Sequence, residues 1–347
     1  MVSLNWPLKA PPLRAPPPQD MRWLRVEDAS AVAASRNAVL AMADRLQFPA
    51  ARAGQLALAV TEAASNLHKH AREGSLLLCV NRDTQAPGIE LVTVDAGPGL
   101  PDVSAALRDG HSTAGTLGIG LGAIRRLADF SDLYSVPGRG TALAARFRPE
   151  RPPAGDRSPT RWAGLIRPIT GETECGDVYA AIQSGEVVTA VLCDGLGHGP
   201  LAAAAGAAGV TAVLDEPVGE PAALLERVHR RMSGTRGGAV GIVQLTGQVA
   251  RFAGLGNVAA SILSDGSRKS MLSIPGIAGH QARTIRQFEY QAPPGAAVIL
   301  HSDGISSRWE AAALPGLEAR DPLLIAAMLL AEAGIHRDDA GVLVLKP

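Results

Sequence analysis

Cysteine is nearly missing. There are three in 347 residues, Cys79, Cys175 and Cys193, and no CxxC among them. That excludes a disulfide framework and a thiolate zinc site, and it fits a reducing compartment. Long apolar runs are missing as well. The longest small-apolar stretch, 201–214, has 14 residues, short of the roughly 18–20 that cross a bilayer. The first twenty residues have no apolar h-region, so no signal peptide is expected. Nor is there an excess of one charge: Lys plus Arg is 33 and Asp plus Glu is 33. Residues 1–150 carry 16 basic and 14 acidic side chains, leaving 17 and 19 for the remainder. With neither half polycationic, a phosphate backbone is not the expected target. The expectation is a cytoplasmic protein with no nucleic-acid and no membrane partner.

What is present suits globular cores. Apolar residues make up 46% and charged residues 19%, too few charges for a disordered chain. The length suggests two domains at about 100–200 residues each. Six prolines fall within residues 7–18, and residues 1–20 are expected to form a flexible Pro-rich arm. A second loose stretch, PERPPAGDRSP at 149–159, is the natural linker. The boundaries expected are 1–20 arm, 21–148 first domain, 149–160 linker and 161–347 second domain.

Both halves read as mixed α/β. In the first, helical spacing runs over 29–46, 51–71 and 119–128. Strands are expected at 75–81, 89–94 and 142–147. In the second, strands are expected at 187–193, 240–245, 261–263, 297–301 and 342–345. Its helices are expected at 201–214, 221–232 and 322–333.

Three motifs carry chemistry in the first half. Glu62 and Asn66 lie four apart on one helix face. A carboxylate and an amide so placed suit a hydrated magnesium ion, which prefers oxygen ligands and keeps several waters. Lys69, one turn beyond, is within reach of a phosphate. Next, a strand ends in Asp95-Ala-Gly97-Pro-Gly99. An acid there can accept from the exocyclic amine of a purine, and the glycines let the base approach the backbone. Third, Gly115-Thr-Leu-Gly118-Ile-Gly120-Leu-Gly122 runs straight into a helix. Such a stretch offers backbone N–H groups to phosphates.

In this order, within about 80 residues, the three motifs resemble the N, G1 and G2 boxes of the GHKL ATPase superfamily. The match spans residues 21–148. The short lid DGHSTAGTLGIGLGAIRRL and the tail SVPGRGT most resemble the RsbT-type switch kinases, which phosphorylate a serine on STAS-domain partners. A histidine-kinase fragment is opposed by the missing phosphoacceptor helix upstream. The resemblance implies a GHKL α/β sandwich, with helices on a mixed sheet, that binds ATP and Mg²⁺. By it, Glu62 is the general base or water-orienting group and Asn66 the magnesium ligand. Asp95 reads adenine, with Gly97 and Gly99 beside it. Gly118, Gly120 and Gly122 cradle phosphates, and Thr141 assists at the adenine end.

In the second half, four acids recur beside short apolar strands: Asp177 in ECGDVYA, Asp194 in VLCDGLGHG, Asp303 in ILHSDGIS and Asp338 in RDDAGVLVL. Carboxylates distant in sequence but placed at strand ends can converge on one metal cluster. Oxygen-only ligation suits Mg²⁺ or Mn²⁺ and not Zn²⁺. Two such ions about 3.5–4 Å apart activate a bridging water toward phosphorus.

These motifs, with Arg236-Gly-Gly-Ala239, Gly254-Leu-Gly256-Asn257 and Gly276-Ile-Ala-Gly279, resemble the SpoIIE-like branch of the PPM metal-dependent protein phosphatases, and within it the RsbX type. The resemblance implies a PPM-type αββα sandwich holding two Mn²⁺ or Mg²⁺. By it, Asp194 bridges both metals, Gly195 offers its carbonyl, and Asp177, Asp303 and Asp338 complete the set. Asp177 and Asp194 rank with Glu62 as the expected catalytic residues. Asp338 is favoured over Asp339, because the first of the pair falls at the family's metal position. Gly341 departs from the family, which has Thr there. His198 in GLGHG suits a turn.

Together the resemblances imply a bifunctional partner-switching enzyme: a serine kinase and a phosphoserine phosphatase acting on STAS-domain anti-sigma antagonists or stressosome proteins in a sigma-factor pathway. The alternative is an ATP-binding anti-sigma or docking module without kinase turnover, fused to an active phosphatase.

Overall fold

The computed structural model describes residues 12–82, 87–106, 120–152, 160–335 and 337–347. The chain divides into two compact units. One is Pro16–Pro159; the other joins Met1–Ala15 to Thr160–Pro347.

The first ordered element corrects the expectation of a loose arm. Within 1–20, Leu13–Arg14 form a strand (β1) paired antiparallel with Ala180 and Ala181. Ala15 N donates to Tyr179 O at 2.9 Å, and Leu13 is buried. An open sheet edge presents unpaired N–H and C=O groups, and this short segment caps one. Pro18–Asp20 form a 3₁₀ turn. Residues 1–11 lie outside the described residues.

The unit Pro16–Pro159 contains β2 (Met21–Arg25), α1 (Ala29–Arg45), α2 (Ala50–His70), β3 (Ser75–Asn81), β4 (Gly88–Asp95), the single turn α3 (Val103–Ala106), α4 (Gly120–Leu127), β5 (Phe130–Val136) and β6 (Gly140–Phe147). Asp28 caps α1, accepting from Ala31 N at 2.9 Å, which satisfies a donor that would otherwise be free at the helix start. Ala-rich α2 has high intrinsic helix propensity. Its Leu56, Val60, Ala63, Ala64 and Leu67 are buried in one stripe against Leu76, Leu78, Leu91 and Phe147 of the sheet.

The sheet order is β2-β3-β4-β6-β5. Every pairing is antiparallel, not mixed as expected. The connections explain this. The α1–α2 hairpin crosses the sheet twice and returns the chain to its starting end, so β3 must run against β2. The next pairings, β3 with β4 and β5 with β6, are antiparallel too, and a tight turn at 137–139 joins β5 to β6.

The second unit contains β7 (Trp162–Arg167), β8 (Asp177–Ser184), β9 (Val187–Gly195), α5 (Pro200–Asp215), α6 (Pro221–Arg231), β10 (Gly238–Thr246), β11 (Val249–Leu255), β12 (Ala259–Ser264), β13 (Ser267–Met271), β14 (Phe288–Gln291), β15 (Ala297–His301), α7 (Pro322–Ala333) and β16 (Ala340–Leu345). One sheet runs β1-β8-β9-β10-β11-β14 and the other β13-β12-β15-β16-β7. Helices α5 and α6 cover the first sheet and α7 the second, while β16 lies against β8 and β9. This is the expected αββα sandwich. Strands covered on both faces should be continuously apolar rather than alternating. AGVLVL of β16 is buried throughout, and so is β10 up to Gln244 and Leu245. No helix among the described residues is long and apolar enough to cross a membrane.

Candidate active sites

In the first unit, α2 and the end of β4 bring the expected residues to one end of the sheet. Glu62 and Asn66 are half-buried on α2, and neither side chain has a hydrogen-bond partner among the described residues. Lys69 is exposed at the last turn of the helix. Asp95 ends β4 directly opposite Thr141 of β6. Its Oδ1 accepts from Gly97 N at 2.7 Å. Burial raises the Asp95 carboxyl above its ordinary range, partly offset by the N–H groups of Gly97 and Thr141. Gly99 (φ +71°) and Gly140 (φ +101°) are required sterically, since a Cβ would overlap Val136 O at the first and Asp95 O at the second.

Ser135 escaped the sequence analysis. Its hydroxyl lies 2.9 Å from Thr141 Oγ1, donates to Gly140 O and accepts from Leu100 N. It therefore ties the Gly99 loop to the Thr141 strand. Only its place in β5, next to the strand carrying Thr141, signals this role. Gly120 and Gly122 open α4, whereas Gly118 lies outside the described residues.

In the second unit the acids gather where strands end. Asp177 starts β8 and Asp194 lies near the end of β9, facing each other in register. Asp303 follows β15, and Asp338 precedes β16. The charge of Asp303 bears directly on Asp194. The carboxylates strain one another electrostatically. Burial, then the charge of Asp194, hold Asp177 well above the carboxylate range. Asp194 is pushed up to about 7 by burial, then by Asp303 and Asp338. Asp303 is raised by burial and Asp338. Gly195 N donates to Gly176 O at 3.2 Å, which keeps the end of β9 against the entry to β8.

Three supporting residues were not assigned roles from sequence. The Asn257 amide donates to Asp303 Oδ2. The Ser302 hydroxyl donates to Asp177 Oδ2 at 2.6 Å. Asp339, beside Asp338, is 4% exposed and accepts from Ile169 N at 2.7 Å and Gly176 N at 2.8 Å. Asp339 thus clamps the loop leading to Asp177, while Asp338 stays half-exposed and presses its charge on Asp194 and Asp303. Asn257 sits in a motif flagged from sequence, and the Asp-Asp pair was visible there. The division of labour within that pair was not.

The donor set is all oxygen, and Asp177 Oδ1 is buried with no donor. Both observations fit a divalent cation, which would relieve the crowding of like charges. Among the described residues no three His, Cys, Asp or Glu side chains by themselves form a metal cage. His198 Nδ1 lies 3.1 Å from Glu172 Oε1, with both side chains exposed.

Residues 26–147 match the histidine kinase-like ATPase domain family. The chain is 32% identical over 126 residues to the serine/threonine-protein kinase RsbT of Bacillus subtilis strain 168, a match covering 36% of this chain and 95% of that protein. The chain belongs, through this unit, to the family of histidine kinase-like ATPases. Among solved structures, it is 25% identical to a chain of the bacterial stressosome, described as a modular system adapted to control secondary messenger signaling. That match covers 54% of this chain and 98% of that one, with a TM-score of 0.49. RsbX in complex with magnesium is 20% identical, covering 55% of this chain and 98% of that one, with a TM-score of 0.48. The RsbU and RsbW domains of a Mycobacterium tuberculosis protein are 18% identical, covering 54% of this chain and 60% of that one, with a TM-score of 0.44.

Proposed function

We propose that the chain is a bifunctional partner-switching regulator. Its first unit transfers phosphate from ATP to a serine of a STAS-domain protein, of the anti-sigma-antagonist or stressosome type. Its second unit hydrolyses phosphoserine on proteins of the same class, with two Mn²⁺ or Mg²⁺. The observation that carries this is the union, in one chain, of an RsbT-like ATPase unit with an αββα body whose strand-end carboxylates crowd together.

In the first unit Glu62 faces the chemistry and Asn66 the magnesium that accompanies ATP, with Lys69 toward the phosphates. Asp95, Gly97, Gly99 and Thr141 form the adenine end, and Gly118, Gly120 and Gly122 the phosphate end. Glu62 takes the proton of the serine hydroxyl as the Ser O–P bond forms and the bond from phosphorus to the ADP oxygen breaks. In the second unit bound metal ions would supply a low-pKa water and neutralise phosphate charge. Asp177, Asp194, Asp303, Asp338 and the Gly195 carbonyl would hold them. Attack of water on phosphorus releases the serine hydroxyl, which keeps its oxygen and gains a proton.

The test uses the full chain with a STAS-domain protein and labelled ATP. Glu62→Ala is expected to keep ATP affinity within about 3-fold while transfer falls roughly 10²–10⁴-fold, the range for loss of a general base. Phosphate release from the phosphorylated STAS protein is expected only with Mn²⁺ or Mg²⁺. Wild-type transfer by the Glu62 variant would remove Glu62 from the role of base, no transfer by the wild-type chain would leave the first unit as a docking module without kinase turnover, and hydrolysis that persists in EDTA would remove the metal-dependent phosphatase.

A further inference from the structure

Asp177 is 1% exposed, and its two oxygens have different surroundings. Oδ2 accepts the Ser302 hydroxyl at 2.6 Å. Oδ1 is buried and meets no donor. Ser302 is itself fully buried. The Gly341 N–H donates to the same Oγ at 2.9 Å, so the hydroxyl hydrogen is left for Asp177. Ser302 N in turn donates to Gly341 O at 3.1 Å, which fastens the serine backbone to β16. There is little room for a side chain at Gly341. A Cβ there would sit 3.1 Å from Asp177 Cβ and Oδ2 and 3.1 Å from Leu192 Cδ1.

A buried carboxylate kept only for structure would have both oxygens satisfied, because an orphaned polar atom costs about 1–3 kcal/mol. Here one oxygen is pinned and the other is left open, on a residue that pairs across the strands with Asp194. The terminal torsion of an Asp side chain is broad and roughly two-fold, so nothing intrinsic to the residue selects one oxygen. We propose that Ser302 is a positioning residue, whose hydroxyl pins Oδ2 of Asp177 so that Oδ1 alone is presented to a divalent cation shared with Asp194. This rests on the metal-site reading of the second unit. Ser302 touches neither metal nor substrate; it acts through Asp177, as partners of metal ligands commonly do.

The experiment is a calorimetric titration of the full chain with Mn²⁺, in wild type, Ser302→Ala, Ser302→Cys and Tyr179→Phe. Tyr179 is the control. Its hydroxyl donates to Gly164 O at 2.6 Å, a buried bond of the same unit that does not involve the Asp177 carboxylate. Losing that bond lowers stability without releasing the carboxylate. Ser302→Ala is expected to weaken Mn²⁺ binding about 10–100-fold, the usual effect of removing a partner of a metal ligand. Ser302→Cys keeps a similar shape with a weak S–H donor, and its affinity should fall between the two. It also reports should the alanine variant fail to fold. Tyr179→Phe should melt earlier yet bind Mn²⁺ within about 3-fold of wild type. Wild-type affinity in both Ser302 variants, or equal weakening in Tyr179→Phe, overturns the positioning role and leaves the phosphatase reading standing. A wild-type chain that binds no Mn²⁺ and releases no phosphate overturns that reading and this role together.

Discussion

Asp194→Asn is expected to lower phosphate release by the full chain at least ~100-fold at saturating Mn²⁺, and to make the metal-free protein more stable at pH 8. The loss of turnover follows from the place of Asp194. It faces Asp177 across β8 and β9, and the charges of Asp303 and Asp338 both bear on it, so it is the carboxylate on which the others converge. Removing a partner outside the ligand set already costs about 10–100-fold, and a shared ligand should cost more. The gain in stability follows from the same crowding. Burial, then Asp303 and Asp338, raise the Asp194 carboxyl to about 7, against an unfolded value near 3.9. The folded state therefore holds a proton that the unfolded state has already lost between about pH 4 and 7. Stability drawn from this group is full below about pH 4 and is lost as pH rises through about 7. A shift of this size corresponds to about 4 kcal/mol in the metal-free protein. Asparagine carries no such penalty.

Thermal unfolding in EDTA checks this. Wild type should melt several degrees lower at pH 8 than at pH 5, at about 2–4 °C per kcal/mol for a unit of this size. Asp194→Asn should narrow that gap, and Mn²⁺ should restore wild type at pH 8 by binding the folded state. A variant with wild-type turnover, or one less stable than wild type in EDTA at pH 8, contradicts the assignment of Asp194.

Features set by local spacing were legible in the sequence, and those set by strand register were not. Glu62 and Asn66 share a face of α2 because residues four apart must, and Asp95 ends its strand where an apolar run stops. The helix 322–333 was read with its observed ends, since Pro322 follows the capping Asp321, whose side chain accepts from Leu323 N at 2.9 Å. The four acids of the second unit were visible as strand-end residues, but their pairing was not. Asp177 and Asp194 meet because β8 and β9 are neighbours in one particular register, and a slip of one residue would turn a side chain to the other face. Ser302 and Asp177 are 125 residues apart, and no periodicity links them. The edge strand at Leu13 was hidden behind prolines, which mark loose chain in composition but do not stop two residues from completing a sheet edge. The antiparallel order of the first sheet likewise depends on how many helices separate β2 from β3, not on the sequence of either strand.

Arg52 was passed over for the same reason, and its replacement by alanine is expected to cost the first unit about 3–5 kcal/mol, the range for stranding one partner of a buried ion pair. Arg52 lies near the start of α2 and is 7% exposed. Its Nη2 meets Asp129 Oδ1 at 2.5 Å, and Nη1 donates to Leu127 O at 2.7 Å and Gln55 Oε1 at 2.9 Å. Its Nε donates to Arg148 O at 3.0 Å, and the guanidinium lies 5.4 Å from the centre of the Phe147 ring. Asp129 also accepts from Arg148 N at 2.6 Å. One side chain thus joins α2, the end of α4 and the strand after it. Alanine would leave Asp129 buried, with Arg151 at 3.5 Å the one remaining cation against it among the described residues, and would strip donors from two backbone carbonyls. Lysine is not an adequate substitute, since one ammonium cannot reproduce the planar fork that serves these acceptors at once. The same junction holds α2, with Glu62 and Asn66, against α4, with Gly120 and Gly122, so the damage should reach the nucleotide end. In urea titrations of the full chain, the transition of the first unit should move to lower denaturant in Arg52→Ala, with the second unit unmoved. Mg-ATP should shift that transition back upward in wild type and by a smaller increment in the variant. A first-unit transition within 0.5 kcal/mol of wild type, a limit set by ordinary surface substitutions, would show that Arg52 is not the joint between the two helices.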